Sequence, residues 1–353
     1  MTIARSLLIR DDRPGAYHLI SRCVRRAFLC GDDAEHRREW IERGIRTQTR
    51  AFAIEVLTFG VMSNHLHIVV HTDPDRVADW SAREVVERWG LLFPRRDPAT
   101  GEDGPWLPAE VARKAAGAEW VATRRERLAS VSWFMRILKQ RIARKANAED
   151  GVTGHFWEGR FQSVALLDTA AVVSCLAYVD LNPIRARMAH TPEDSDHTGI
   201  QRRIEARQEH RRAQAALATS PTSADRLAAE RARLRAAGGE ERGLWIAPCL
   251  RATNQSCTVD QYLELVGHTG RMLKDGKRGR IPPHLAPILE RLDIDIDHWI
   301  TAMLAHGSFL GTAVGTVTNL AKEALRRGTR WIVERTAIHR DRRRGRPRTT
   351  ASA

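Results

Sequence analysis

The spacing of hydrophobic and polar positions changes along the chain, and the changes mark out elements. Tyr17 to Cys23 alternates weakly, which predicts a strand. Ala34 to Arg50 is charged, with Trp40, Ile41 and Ile45 at helical spacing, which predicts a helix. Phe52 to Val61 and Leu66 to His71 have strand-like composition and flank the turn-like Met62-Ser63-Asn64, so the pair predicts a hairpin. Val77 to Leu92 returns to a helical pattern, and Phe93 to Pro108, rich in Pro, Gly and Asp, predicts a loop or insertion. Glu110 to Lys145 is mostly helical, most strongly from Val131. Arg160 to Leu167 predicts a strand, and Ala170 to Leu181 a helix stopped by Asn182-Pro183. This order predicts an α+β layer with a mostly antiparallel sheet.

After Ile204 the composition shifts. Residues 205–243, rich in Ala, Arg and Glu, predict a charged helical linker with a break at Ser220-Pro221. Residues 244–334 predict a smaller, mainly helical accessory region, with Thr258 and Gln261 as a capping box. Residues 335–353 carry seven Arg and one acidic residue, Asp341, and predict a tail that is disordered when free. Residues 1–204 are then a first domain.

Composition narrows the class. With 42% hydrophobic residues in 353, the chain buries a sizeable core. No apolar run approaches the ~18 residues of a membrane span, and the N-terminus lacks an apolar signal-peptide core, so a cytoplasmic protein without membrane contact is expected. The net charge of +14, largely from Arg, points to nucleic acid as partner. Arg-favouring codon bias accounts for part of the Arg count but not for the sign of the charge. Cys23, Cys30, Cys175, Cys249 and Cys257 form no C-x-x-C pair and read as buried or incidental thiols.

Two constellations carry chemistry. His65 and His67 flank Leu66 in a predicted strand, so both imidazoles project from one face as half of a metal site; the plainer reading is a pair of polar residues on a sheet surface. Tyr178 and Asn182 are four apart on a predicted helix and share a face; the plainer reading is a half-buried Tyr and a helix-ending Asn. Tyrosine is scarce: Tyr17 lies on the first strand and reads as structural, and Tyr262 lies in the accessory region. His155, Phe156, Trp157 and Arg160 suit stacking on or pairing with unstacked bases, with packing of Phe156 and Trp157 against the sheet equally open. Arg185 is placed to hold phosphate or to be an exposed charge. Arg344-Gly345-Arg346-Pro347 resembles an AT-hook core, with a nonspecific basic tail as the plainer reading.

Together these segments resemble a known family. Asn64-His65-Leu66-His67-Ile68-Val69 is similar to the histidine–hydrophobic–histidine strand of HUH endonucleases. Tyr178-Val179-Asp180-Leu181-Asn182-Pro183-Ile184-Arg185-Ala186 resembles the tyrosine helix of the REP-associated tyrosine transposases, and Gly154 to Phe161 the segment before their last strand. The resemblance covers roughly Pro14 to Arg203. It implies a ferredoxin-like core, a divalent ion (Mg²⁺ or Mn²⁺) on His65, His67 and Asn182, and Tyr178 as the nucleophile. The implied substrate is single-stranded or hairpin DNA, nicked and rejoined; a homodimer is left open. A phosphodiester resists attack because its anionic oxygens repel the nucleophile, which a divalent ion relieves. Attack by a phenol stores the bond as a 5′-phosphotyrosine, so a 3′-OH can rejoin it without ATP. The alternatives are a domesticated DNA-binding protein without catalysis, a replication or plasmid-transfer nickase, and an RNA-binding sheet. The last is disfavoured by a first strand that lacks the stacking aromatics.

Overall fold

A computed structural model describes residues 4–219, 245–247, 258–274, 296–304 and 311–330, with single positions 224, 225, 228, 289, 294 and 332. The order is α1 (Arg5–Leu8), β1 (Gly15–Arg22), α2 (His36–Ala51), β2 (Ile54–Val61), β3 (His65–Thr72) and α3 (Ala82–Leu92). A two-residue pair follows, β4 (Arg95–Arg96) and β5 (Asp103–Gly104), then α4 (Pro108–Ala115), α5 (Ala118–Ala129) and α6 (Val131–Glu149). Next come β6 (Gln162–Leu166), α7 (Thr169–Asp180), α8 (Asn182–Arg185) and α9 (Gly199–Thr219). The C-terminal elements are α10 (Val259–Lys274), α11 (Ile296–Leu304), β7 (Ala313–Val314) and α12 (Val317–Arg326).

The main sheet runs β2-β3-β1-β6-β7, antiparallel throughout except for the parallel β6–β7 pair. The expected α+β class with a mostly antiparallel sheet is therefore the observed one. Alternation along the strands sorts side chains into two layers. Tyr17, Leu19, Leu66, Ile68 and Val70 pack with α2 and α6 through Ile41, Ile45, Phe134 and Leu138. Val69, Val164 and Leu166 pack with α7 and with Tyr262, Leu265 and Trp299 of the C-terminal helices. Each such side chain contributes about 1.5–3 kcal/mol when fully buried. α7 is apolar nearly all round, which a helix tolerates only when covered on every side, and all but its first residue are buried. Asp168 caps it by accepting from the Ala171 amide.

Three local expectations change. The helix expected from Val77 begins at Ala82, where Ser81 accepts from the Glu84 amide; Pro74–Val77 is a separate 3-10 turn. The loop at Phe93 to Pro108 contains the β4–β5 pair, and Trp106 folds back to donate to the Phe93 carbonyl. α7 ends at Asp180, as expected ahead of Asn182-Pro183, but a second short helix, α8, starts at Asn182. Leu181 stays helical (φ −92°, ψ 0°) and Pro183 sits in the first turn of α8, where its missing N–H costs nothing.

The expected boundary after residue 204 falls inside α9. Arg203 is buried and donates to the Leu57 and Ala247 carbonyls, and Arg207 pairs with Asp260 of α10. Cys23, Cys30 and Cys175 are buried free thiols. The tail with Arg344 and Arg346 lies outside the described residues, as do Cys249 and Cys257. Among the described residues no helix is long and apolar enough to cross a membrane.

Candidate active site

His65 and His67 project from the sheet face that α7 covers, while Leu66 enters the opposite layer. In the strand register Ile20 and Gly60 stand beside His67, and Arg22 beside His65. α7 packs over Gly60, where a Cβ would meet the Val179 carbonyl oxygen at 3.4 Å, an ordinary van der Waals contact. The helix thereby sets Tyr178 edge-on to the histidines, its ring centroid 6.0 Å from that of His67.

A third imidazole completes the group. His18 of β1 stacks on His67 with centroids 4.9 Å apart, and its Nε2 lies 2.8 Å from His67 Nδ1. Its centroid is 6.2 Å from Tyr178. The sequence reading does not single out His18. The available signal is parity, since His18 and Arg22 fall on one side of an alternating strand.

Burial keeps these rings neutral. It is the main reason His18 is lowered to about 3, with the nearby His65 and Arg22 adding to it. Burial, then Arg22, lowers His65 to about 4, and burial lowers His67 well below the ordinary histidine value. A neutral imidazole keeps one lone pair, the form that binds a metal. Asn64 decides which nitrogen offers it on His65: its Oδ1 lies 2.6 Å from His65 Nδ1, so Nδ1–H donates and Nε2 keeps the lone pair. A proton on His67 Nδ1, donated to His18 Nε2, leaves His67 in the same tautomer.

Positive charge borders the group. The Arg185 guanidinium lies 4.7 Å from the centre of the Tyr178 ring, and Arg22 donates to Gln162 at 3.2 Å. Asp180, two residues past Tyr178, is turned away: Thr58 and Tyr262 each donate to its carboxylate at 2.5 Å. Asn182 is buried, and its Nδ2 has no hydrogen-bond partner among the described residues.

The remaining phenols are engaged elsewhere. Tyr17 accepts from the Arg10 amide at 2.9 Å, and Tyr262 is the Asp180 donor. His155 and Arg160 are exposed. Trp157 is 7% exposed and donates from Nε1 to the Lys139 carbonyl at 3.0 Å, so its ring is a packed wall rather than an open stacking platform. Among the described residues no three His, Cys, Asp or Glu side chains are grouped to hold a metal; the expected set of two imidazoles and an amide is of a different kind. The chain matches no protein-family model, no curated protein and no solved structure.

Proposed function

We propose that the chain is a nicking-and-joining enzyme of the HUH tyrosine transposase kind, acting on single-stranded DNA next to hairpins. The observation that carries this reading is the placement of Tyr178 against His67, His18 and Arg185. The order β2-β3-β1-β6, with α2 between β1 and β2 and helices α3 to α6 between β3 and β6, fits the ferredoxin-like core this reading expects.

In this reading Tyr178 Oη attacks phosphorus, the bond to the 3′ oxygen breaks, the phenol proton leaves to solvent and the departing 3′ oxygen takes up a proton from solvent. The products are a 5′-phosphotyrosine and a free 3′-OH, which reverses the step when strands are joined. Arg185 and Arg22 draw the phosphate to the ring by charge. His65 and His67 would hold a divalent ion through Nε2, with Asn182, whose Nδ2 lacks a hydrogen-bond partner among the described residues, as the expected third ligand. When bound, that ion neutralises a phosphate oxygen, and Mn²⁺ tolerates the mixed nitrogen and oxygen set. His18 and Asn64 fix the two ligand rings.

The test is incubation with a pool of single-stranded hairpin DNA and Mn²⁺, followed by sequencing of covalently trapped strands. Enrichment of hairpin-flanking sites in denaturant-resistant complexes is expected. Cleavage that leaves only protein-free 5′-phosphate ends would contradict the reading, because water would then be the nucleophile.

A further inference from the structure

The segment before β6 builds a second feature at the same end of the sheet as His65. Glu158 donates its amide to the Arg22 carbonyl at 2.9 Å, and Val24 donates to the Phe156 carbonyl at 2.9 Å. The strand that carries Arg22 into the histidine site thus also anchors this segment. Between it and α6 lies a cavity of about 690 Å³, within the range of small-ligand sites. Its wall is apolar, from Met135, Phe156, Trp157 and Phe161, and its rim carries Arg5, Arg136, Lys139 and Arg160. Among the described residues no carboxylate lines it.

Two of these cations, Arg5 and Lys139, are held by carbonyl oxygens rather than by acids. Arg5 donates to the Phe161 carbonyl at 2.9 Å with its guanidinium 3.7 Å above the Phe161 ring, and Lys139 donates to the Gly159 carbonyl. Their charges repel one another. Burial, then Arg160, lowers Arg5, while burial, then Arg5, brings Lys139 down to about 8. Like charges gathered over an apolar wall match an anion joined to a flat apolar group, which is the chemistry of a nucleotide.

We propose that this cavity receives one unstacked nucleotide of the single strand beside the cleavage site, its base against the apolar wall and its phosphate on Arg5, Lys139 and Arg160. The proposal rests on single-stranded DNA being the substrate. The continuity through Arg22 makes the occupant a nucleotide of the strand that reaches Tyr178.

The test uses the full chain carrying Tyr178→Phe, so that binding is read without chemistry. Fluorescence anisotropy with a labelled strand is compared for this parent and for added Arg160→Ala or Lys139→Gln. Arg160 is exposed, so its variant should stay folded; circular dichroism checks both. Each should weaken binding about tenfold or more, as expected for a charge-assisted contact, and flatten the slope of log affinity against log salt by about 0.7. Single abasic positions scanned along the strand should reveal one sensitive position in the parent, lost in the variants. Parent-like affinity in both variants, no sensitive abasic position, or no strand binding by any protein overturns the proposal. Wild-type protein is assayed alongside for covalent adduct. Adduct with parent-like variant binding sinks the cavity alone, and cavity-dependent binding without adduct sinks the Tyr178 reading alone.

Discussion

His18 stands to His67 as Asn64 stands to His65: each engages the Nδ1 of its neighbour and leaves Nε2 for a ligand. His67→Ala is therefore expected to abolish Mn²⁺ binding, and His18→Ala to weaken it by about 10- to 100-fold, the usual loss when an orienting partner is removed. Electron paramagnetic resonance of free Mn²⁺ measures both. Unchanged affinity in His67→Ala would refute the ligand assignment. At this scale the sequence is uneven. His65 and His67 are legible because a strand repeats every two residues, so adjacency in sequence is adjacency in space. His18 is 49 residues from His67 and meets it only through strand pairing. Trp157 misleads because an aromatic beside cations reads the same whether its ring is free or packed.

Among the elements, α7 bears the most on the site, and it is held at its end by a buried carboxylate. Burial raises Asp180 above the usual carboxylate range, against which Arg203, Thr58 and Tyr262 act. Tyr262→Phe removes one donor from a buried charged group, so a loss of about 1.5–3 kcal/mol in stability is expected. Urea unfolding followed by circular dichroism checks this, and an unchanged midpoint would show that the bond is not made. The helix itself is legible from its continuous apolar run. Its covering is not: α10 arrives from beyond the expected boundary after residue 204, and β7 joins the sheet as two residues, too short to carry a period. The restart at Asn182-Pro183 escaped because proline breaks a helix interior yet suits a first turn, and sequence alone does not say which of the two it occupies.

For the whole molecule, the +14 charge gives a nucleic-acid partner as an expectation, and the cation-rimmed cavity makes its pH dependence specific. In the proposed site Lys139, lowered to about 8 by burial and Arg5, would hold phosphate only when protonated, and a bound phosphate would raise its pKa. Affinity for single strands should therefore be flat below about pH 7 and fall as pH rises past 8. The measurement is made on Tyr178→Phe protein that also carries His155→Gln, so that Lys139 is read without the histidine that lines the same cavity. Lys139→Arg should abolish the fall, because a guanidinium stays charged; anisotropy across the pH series decides it, and a fall that persists in Lys139→Arg assigns the effect elsewhere. The central claim, that Tyr178 is the nucleophile, is tested most directly by mapping the covalent bond. Wild-type protein and Tyr178→Phe are incubated with single-stranded hairpin DNA and Mn²⁺, run on a denaturing gel, and the wild-type adduct is digested for mass spectrometry. The account predicts a 5′-phosphate linked to the peptide containing Tyr178, and no adduct from Tyr178→Phe even though that protein still binds the strand. Adduct at wild-type level from Tyr178→Phe, or a nucleotide mapped to any other residue, would contradict it.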